Sequence, residues 1–443
     1  MRKLFGTDGI RGVVNSELTP EIAYRLGNAI AQMFGDIHSE LIIARDTRLS
    51  GDLLESAIAS GAAAGGMKVV LAGVATTPAL VMLTRIKNTV GVMISASHNP
   101  PEYNGLKVME RGYKISDSVE EELERLMEKT VLAAPGSVKR IKNEPELINL
   151  YVEKITELYK QYSFKNIHIA VDTANGGAYE IARKVYEALG ISHEIFFNQP
   201  DGRNINEGCG STHPEGLIEK IQGRSFDAGV LFDGDADRCL MITRDGKLVD
   251  GDRLITLNAL KMLKEGRLTL RSVVVTIMSN LGMERYLKSH GIEVIRTKVG
   301  DRYVLETMLE KGINLGGEQS GHIIFLDRST TGDGIVTSLE TLVSLMETGR
   351  DLADILREVP RYPQRLLNVK TNRKKEVAGS PELREKLKTL PEDVRVVVRP
   401  SGTEPLIRIM VEGENEEMVE NLSNNLKKFI EELILSMEEE PVS

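Results

Sequence analysis

Three aspartates alternate in the stretch DGDADR: Asp233, Asp235 and Asp237. Carboxylates this close repel one another unless a cation sits among them, and hard oxygen ligands suit Mg2+, Ca2+ or Mn2+. The apolar run AGVLF just before them places the three at a strand end, against the alternative of a solvated acidic turn. A second stretch, RPSGTEPLIR, joins Arg399, Ser401, Gly402, Thr403 and Arg408. Two guanidinium groups, two hydroxyls and exposed backbone make an anion clamp, because arginine binds phosphate through paired hydrogen bonds. A plain hairpin turn is the competing reading. A third stretch, GGEQSGH, offers Glu318, Ser320 and His322. A carboxylate and a hydroxyl suit sugar hydroxyls, and an extended loop would aim Glu318 and Ser320 the same way. His322 fits a structural role equally well.

The fourth stretch is SASHNP, where Ser97 and His98 follow the apolar run VGVMI. Asn99 and Pro100 would explain it as a turn. Beside a metal loop, an anion clamp and a sugar-suited loop, Ser97 reads instead as a carrier of a phosphoryl group, dividing a transfer into two steps. A phosphoserine adds about −1.5 to −2 charge, so the nearby aspartates require a divalent cation. Arg11 lies in the glycine-rich FGTDGIRG, which alone is a weak signal. Other motifs fail. An EF-hand needs Gly at its sixth place and Glu at its twelfth, where this chain has Arg238 and Arg244. A dehalogenase-type phosphatase opens with D-x-D, but usually carries Thr or Val at the place of Asp237. There is no GxxxxGK[ST] phosphate loop and no G-x-S-x-G elbow.

Elements must position these loops. TPEIAYRLGNAIAQMFG (19–35) predicts a helix with Thr19 as cap, Pro20 in first place and Gly35 at the end. LIIARD (41–46) and KVVLAGV (68–74) read as strands around a helix at 53–66, and NIHIAVD, AYEIARKVYEALG and HEIFF repeat the alternation. The tail differs: two apolar strands flank the clamp loop, then a helix shows Met418, Leu422, Leu426, Ile430 and Leu433 on one face. Four times an apolar run delivers a polar loop. In open α/β sheets ligands bind where such loops leave the strands, so the four are expected to converge on one cleft.

Composition bounds the function. The 443 residues suggest three or more domains. A net charge of −9 argues against general nucleic-acid binding. Cys209 and Cys239 form no CxxC pair. No signal-peptide pattern and no run of about 18 apolar residues occur, so a cytoplasmic protein away from membranes is expected.

SASHNP, DGDADR, GGEQSGH and RPSGTEP, in this order, resemble the four signature loops of the α-D-phosphohexomutases across nearly the whole chain. FGTDGIRG, GGEQSGH, VGDRYV (299–304) and CGSTHPE (209–215) are closest to the branch acting on glucosamine phosphate, whereas PPEYNGLKV (100–108) is more like mutases of glucose and mannose phosphates. The resemblance implies an α/β protein of three α/β domains with mixed sheets plus a C-terminal α+β domain like the TATA-binding protein, around a central cleft. The expected units are 1–150, 151–250, 251–365 and 366–443. It implies Ser97 as phosphoserine; Ser97, Asp233, Asp235 and Asp237 as ligands of one Mg2+; and Glu318 and Ser320 on the sugar. Arg399, Ser401, Gly402, Thr403 and Arg408 would hold the phosphate that does not react. Arg11, His98, Lys107, Arg238 and His322 would line the centre, with Lys107 moving a proton. The implied reaction interconverts glucosamine 6-phosphate and 1-phosphate through a 1,6-bisphosphate, which also serves as activator. The alternatives are a glucose- or mannose-phosphate mutase, a metal-dependent sugar phosphatase and a non-catalytic sensor. A hexose or hexosamine phosphate is the expected partner, and the assembly is left open, with a homodimer allowed.

Overall fold

The structure, a computed structural model, describes residues 4–6, 8–391, 393–401 and 404–439. The first sheet has the strand order Ile10–Val13, Tyr103–Glu110, Val90–Ile94, Leu41–Arg45, Val69–Val74, Ile141–Asn143, with Tyr113–Lys114 paired to Tyr103–Glu110. Its centre is parallel and its Tyr103–Glu110 side antiparallel. The strands Val90–Ile94 and Leu41–Arg45 are almost wholly buried, which is why they read as unbroken apolar runs. The helix Pro20–Phe34 starts where capping chemistry places it: Thr19 Oγ1 accepts from Ile22 N at 3.3 Å, with Pro20 in the first turn. The next helix runs Gly51–Ala64, two residues earlier than its composition suggests.

A second mixed sheet orders Leu248–Val249, Cys239–Thr243, Ala228–Phe232, His168–Asp172 and Ser192–Phe196. A third orders Glu293–Thr297, Ser272–Thr276, Leu315–Gly317 and Ile323–Phe325. The fourth is small and antiparallel, with Leu406–Glu412 between Gln364–Lys370 and Arg395–Pro400. The helix Glu416–Glu439 covers it with Val419, Leu426, Ile430, Leu433 and Ile434. Met418, expected on that face, is 38% exposed, and Val419 takes its place. No helix among the described residues is long and apolar enough to cross a membrane.

The core explains how rigid this assembly is. One cluster of buried apolar side chains runs from Ile42 through Tyr151 to Val359 and so joins the three α/β units. Tyrosines from the second unit dock on the helix Gly334–Thr348 of the third. Tyr151 donates to Asp333 and Tyr159 to Glu340, each at 3.0 Å. The fourth unit has an apolar cluster of its own. It meets the third where Arg395 donates to the carbonyls of Ile277 and Ser279, and where Asn280 donates to Glu412 at 2.7 Å.

Candidate active site

Three loops leave the carboxyl ends of buried strands and meet. Ser97 lies three residues beyond Ile94, and Asp233 directly follows Phe232. Ser97 Oγ donates to Asp233 Oδ2 at 2.5 Å across 136 residues of chain. Ser97 is 2% exposed and has φ of 52°, in the left-handed region that a serine seldom adopts. The second-unit loop comes so near that a Cβ on Gly234 would lie 2.5 Å from the Ser97 carbonyl oxygen. Only glycine permits that approach.

Lys107 reaches the same place from the strand Tyr103–Glu110. Its Nζ lies 2.8 Å from Asp235 Oδ2, 3.2 Å from Asp8 and 3.5 Å from Asp237. Burial disfavours the ammonium, but these three carboxylates outweigh it and raise its pKa. Asp235 also accepts from Thr77 Oγ1 at 2.6 Å. Burial works against its ionised form, yet Lys107 wins and brings Asp235 to about 2. Asp233 goes the other way: burial and then the charges of Asp237 and Asp235 push it well up. Asp237 is raised by burial and by Asp235.

This is the electrostatic signature of an acidic pocket short of positive charge. Asp233, Asp235 and Asp237 each offer an oxygen within 4.8 Å of the others, and all three are buried. Oδ1 of Asp235 and of Asp237 is buried without a hydrogen-bond partner. Orphaned, hard carboxylate oxygens at this spacing fit a divalent cation.

Around the pocket stand cations and imidazoles. Arg11, on the strand Ile10–Val13, pairs with Asp8, the carboxylate shared by Lys107 and Lys114. His98 Nδ1 lies 3.5 Å from Ser97 Oγ; burial and then the charges of Arg238 and Arg11 lower its pKa to about 4. His322 faces the aspartate loop through an isolated antiparallel bridge with Arg238. It is 4% exposed, neither ring nitrogen has a partner, and a Cβ on Gly332 would sit 2.5 Å from its Nε2.

The sugar-suited loop is a tight turn rather than an extended segment. Gly321 N donates to Glu318 O at 3.0 Å, and Gly321 has φ of 97°. Glu318 is half-buried and accepts from Gly300 N at 3.2 Å, whereas Ser320 is exposed. The turn thus carries a half-buried Glu318 and an exposed Ser320 two residues apart. Burial works against the Arg238 charge, but Asp233, Asp237 and then Glu318 raise its pKa.

The clamp loop stands apart. Arg399 and Arg408 are directly opposite across the antiparallel pair, and like charges so placed destabilise a sheet. Burial and then Arg408 lower the Arg399 pKa. Arg408 Nε has no partner, and Lys374 braces the loop from the carbonyls of Ser401 and Glu404. Two facing guanidiniums so arranged suit an anion. Gly402 and Thr403 lie outside the described residues. Among the described residues, the polar contacts of Arg399, Ser401 and Arg408 stay within the fourth unit. The expected convergence therefore holds for three loops, and the fourth is held at the far end of its sheet.

Spacing along the sequence missed Asp8, Thr77, Asp46, Arg48 and Asn206. Arg48 is 1% exposed and ion-paired with Asp46 at 3.0 Å. The stretch ARDTRLS, just past a buried strand, was the available signal. PPEYNGLKV is largely committed to structure: Asn104 is fully buried and donates to Ser50, and the carbonyls of Pro100 and Tyr103 accept from Arg48.

Comparison with known proteins agrees with this geometry. Four profiles of the phosphoglucomutase/phosphomannomutase family match in succession. Alpha/beta/alpha domains I, II and III match residues 2–133, 149–246 and 250–362, and the C-terminal domain matches 366–428. The phosphoglucosamine mutase of Thermosipho africanus is 49% identical over 96% of this chain and 99% of its own length. That of Thermotoga maritima is 44% identical over 97% and 99%. Among solved structures, a phosphoglucomutase/phosphomannomutase family protein of Burkholderia thailandensis superposes with a TM-score of 0.82 at 24% identity, covering 97% of both chains. An Aspergillus fumigatus N-acetylphosphoglucosamine mutase, in complex with GlcNAc-6P and magnesium, gives 0.68 at 18% identity over 96% of this chain and 95% of that one. With four domain profiles in order and relatives matched from end to end, the chain belongs to the phosphoglucomutase/phosphomannomutase family.

Proposed function

We propose that the protein interconverts glucosamine 6-phosphate and glucosamine 1-phosphate through a phosphoserine at Ser97. The observation that carries this reading is the buried Ser97 hydroxyl held 2.5 Å from the aspartate pocket. In the first half, the phosphorus–oxygen bond to Ser97 breaks and the free sugar hydroxyl oxygen takes the phosphoryl group, releasing its proton. The resulting 1,6-bisphosphate turns over in the cleft. In the second half, Ser97 Oγ takes back the other phosphoryl group, and the sugar oxygen it leaves regains a proton. We assign the proton traffic to Lys107, with His98 lining the centre 3.5 Å from Ser97 Oγ. Arg11, Arg238 and His322 line the centre and face the transferring charge, and positioning with charge neutralisation is most of what phosphoryl transfer needs. Glu318 and Ser320 meet the sugar. Arg399, Ser401, Gly402, Thr403 and Arg408 hold the phosphate that does not react. A single Mg2+ held by Asp233, Asp235, Asp237 and a phosphoryl oxygen on Ser97 would supply charge neutralisation between the phosphoryl group and the carboxylates.

The choice of glucosamine over glucose or mannose follows the named relatives. The same proposal includes the units 1–150, 151–250, 251–365 and 366–443, a 1,6-bisphosphate activator and a cytoplasmic location, and it leaves the assembly open, with a homodimer allowed.

The test is a coupled assay with Mg2+ and a trace of hexose 1,6-bisphosphate, comparing the three sugar phosphates while free phosphate is followed. Preference in kcat/KM for glucosamine phosphate is expected. Preference for glucose or mannose phosphate moves the protein to the other branch, and release of phosphate without isomerisation makes it a phosphatase.

A further inference from the structure

Ser97 holds its left-handed conformation because the backbone around it is gripped from two sides. Arg48 spreads one guanidinium over four carbonyl acceptors between residues 97 and 103. Its Nη2 donates to Ser97 O at 3.0 Å and to Asn99 O at 2.8 Å, and its Nη1 to the carbonyls of Pro100 and Tyr103. Asn206, from the second unit, donates through Nδ2 to the same Ser97 O at 2.9 Å and to Asn99 O at 3.2 Å. Both lone pairs of the Ser97 carbonyl are thereby used. The amide side is fixed as well: Ser97 N donates to Ser95 Oγ at 3.0 Å, and Ser95 Oγ donates to Asp46 Oδ2 at 2.6 Å. Asp46 in turn accepts from Arg48 N at 2.9 Å and Arg48 Nε at 3.0 Å, closing the ring. Arg48, Asp46 and Asn206 are all buried.

We propose that Arg48 and Asn206 are positioning residues for phosphoryl transfer, clamping the Ser97 carbonyl so that Oγ stays aimed at the aspartate pocket. The proposal rests on Ser97 being the phosphoryl carrier. Neither side chain bonds the serine hydroxyl; both act through its backbone. A serine released from the left-handed region relaxes to an ordinary φ, which swings Oγ away from Asp233. Asn206 belongs to the unit that carries Asp233, so the clamp also ties the two halves of the centre together. Reacting groups misplaced by about 1 Å lose on the order of 100-fold in rate while substrate binding elsewhere is kept. The clamp should therefore govern kcat rather than KM. Lysine cannot replace Arg48, because an ammonium cannot reach four carbonyls that lie along one loop.

The experiment compares Arg48→Lys and Asn206→Ala with the full-length wild-type protein. It measures kcat and KM, the melting temperature, and the mass gained at Ser97 on incubation with glucose 1,6-bisphosphate. Asn206 has φ of 59°, where alanine costs about 1–2 kcal/mol, but Asn206→Ala leaves the Ser97 and Asn99 carbonyls with their Arg48 bonds, so it perturbs the fold less than Arg48→Lys. The expected result is a kcat about 10-fold lower in Asn206→Ala and about 100-fold lower in folded Arg48→Lys. KM should stay within about twofold, and Ser97 should be phosphorylated more slowly. A folded Asn206→Ala with wild-type kcat, or with a loss confined to KM, overturns the clamp. If the wild-type protein gains no phosphoryl group at Ser97 yet isomerises its substrate, the carrier reading falls first and the clamp with it.

Discussion

Lys107 Nζ and Asp235 Oδ2 are 2.8 Å apart at the bottom of a buried pocket, 128 residues distant in the chain. The pair joins the first sheet to the second, and the same ammonium also reaches Asp237 and Asp8, the latter shared with Arg11 and Lys114. Breaking a buried pair by removing one partner costs about 3–5 kcal/mol, because the other charge stays buried and alone. Lys107→Met should therefore lower the melting temperature by several degrees and reduce kcat by 100-fold or more. A variant as stable as the wild type would mean that the aspartates find other compensation.

Asp233→Asn should separate metal affinity from folding. The wild-type carboxyl is held above its usual range by burial and by Asp237 and Asp235, so an amide relieves repulsion while still accepting from Ser97. Titration calorimetry should show Mg2+ binding at least 10-fold weaker, and thermal melts in chelator should show a melting temperature equal to or above that of the wild type.

Asp252 gives a stability change with pH away from the pocket. Burial, then the charge of Asp250, pushes its carboxyl up to about 7, although Asn280 N donates to it at 2.7 Å. The unfolded value is about 3.9. Between the two the folded state binds more protons, so stability falls as pH rises from about 4 to about 7 and then levels off. Asp252→Asn should remove that slope and be on the order of 1–3 kcal/mol more favourable relative to wild type at pH 8 than at pH 4. Urea melts at the two pH values check it.

Arg399→Ala should act on binding. It ends the cross-strand repulsion with Arg408, so the melting temperature should hold or rise slightly, by roughly 0.2–1 kcal/mol in stability. KM for the sugar phosphate should increase about 10- to 100-fold, as befits loss of a charge-assisted hydrogen bond. Ser97 phosphorylation by acetyl phosphate should be unchanged. Steady-state kinetics and intact mass decide it.

What could be read from the chain follows the range of the forces involved. Thr19 and Pro20 announce a helix because capping acts within four residues. DGDADR announces a cation pocket because its carboxylates repel over three alternating places. The turn at Glu318 was not legible because one glycine at φ of 97° folds back a stretch that alternation alone would extend. Met418 was misplaced by one position, the difference between two neighbouring faces of a helix whose partner sheet is unknown in advance. Arg48 was invisible for a different reason. Its acceptors are backbone carbonyls about 50 residues away, and a carbonyl leaves no mark in a sequence.

The fourth unit is built like a lever arm. It is pinned to the third at Arg395 and Glu412, at one end of its sheet, and carries Ser401 at the other. Six residues of strand at about 3.3 Å each make an arm of roughly 20 Å. A turn of about 10° at the pinned end then sweeps the tip through roughly 3.5 Å, a little more than one hydrogen bond. That is the difference between gripping an anion and letting it go. A stiff sheet would thus convert a rotation small enough to leave the apolar cluster of the fourth unit intact into a displacement of hydrogen-bond size at its far edge.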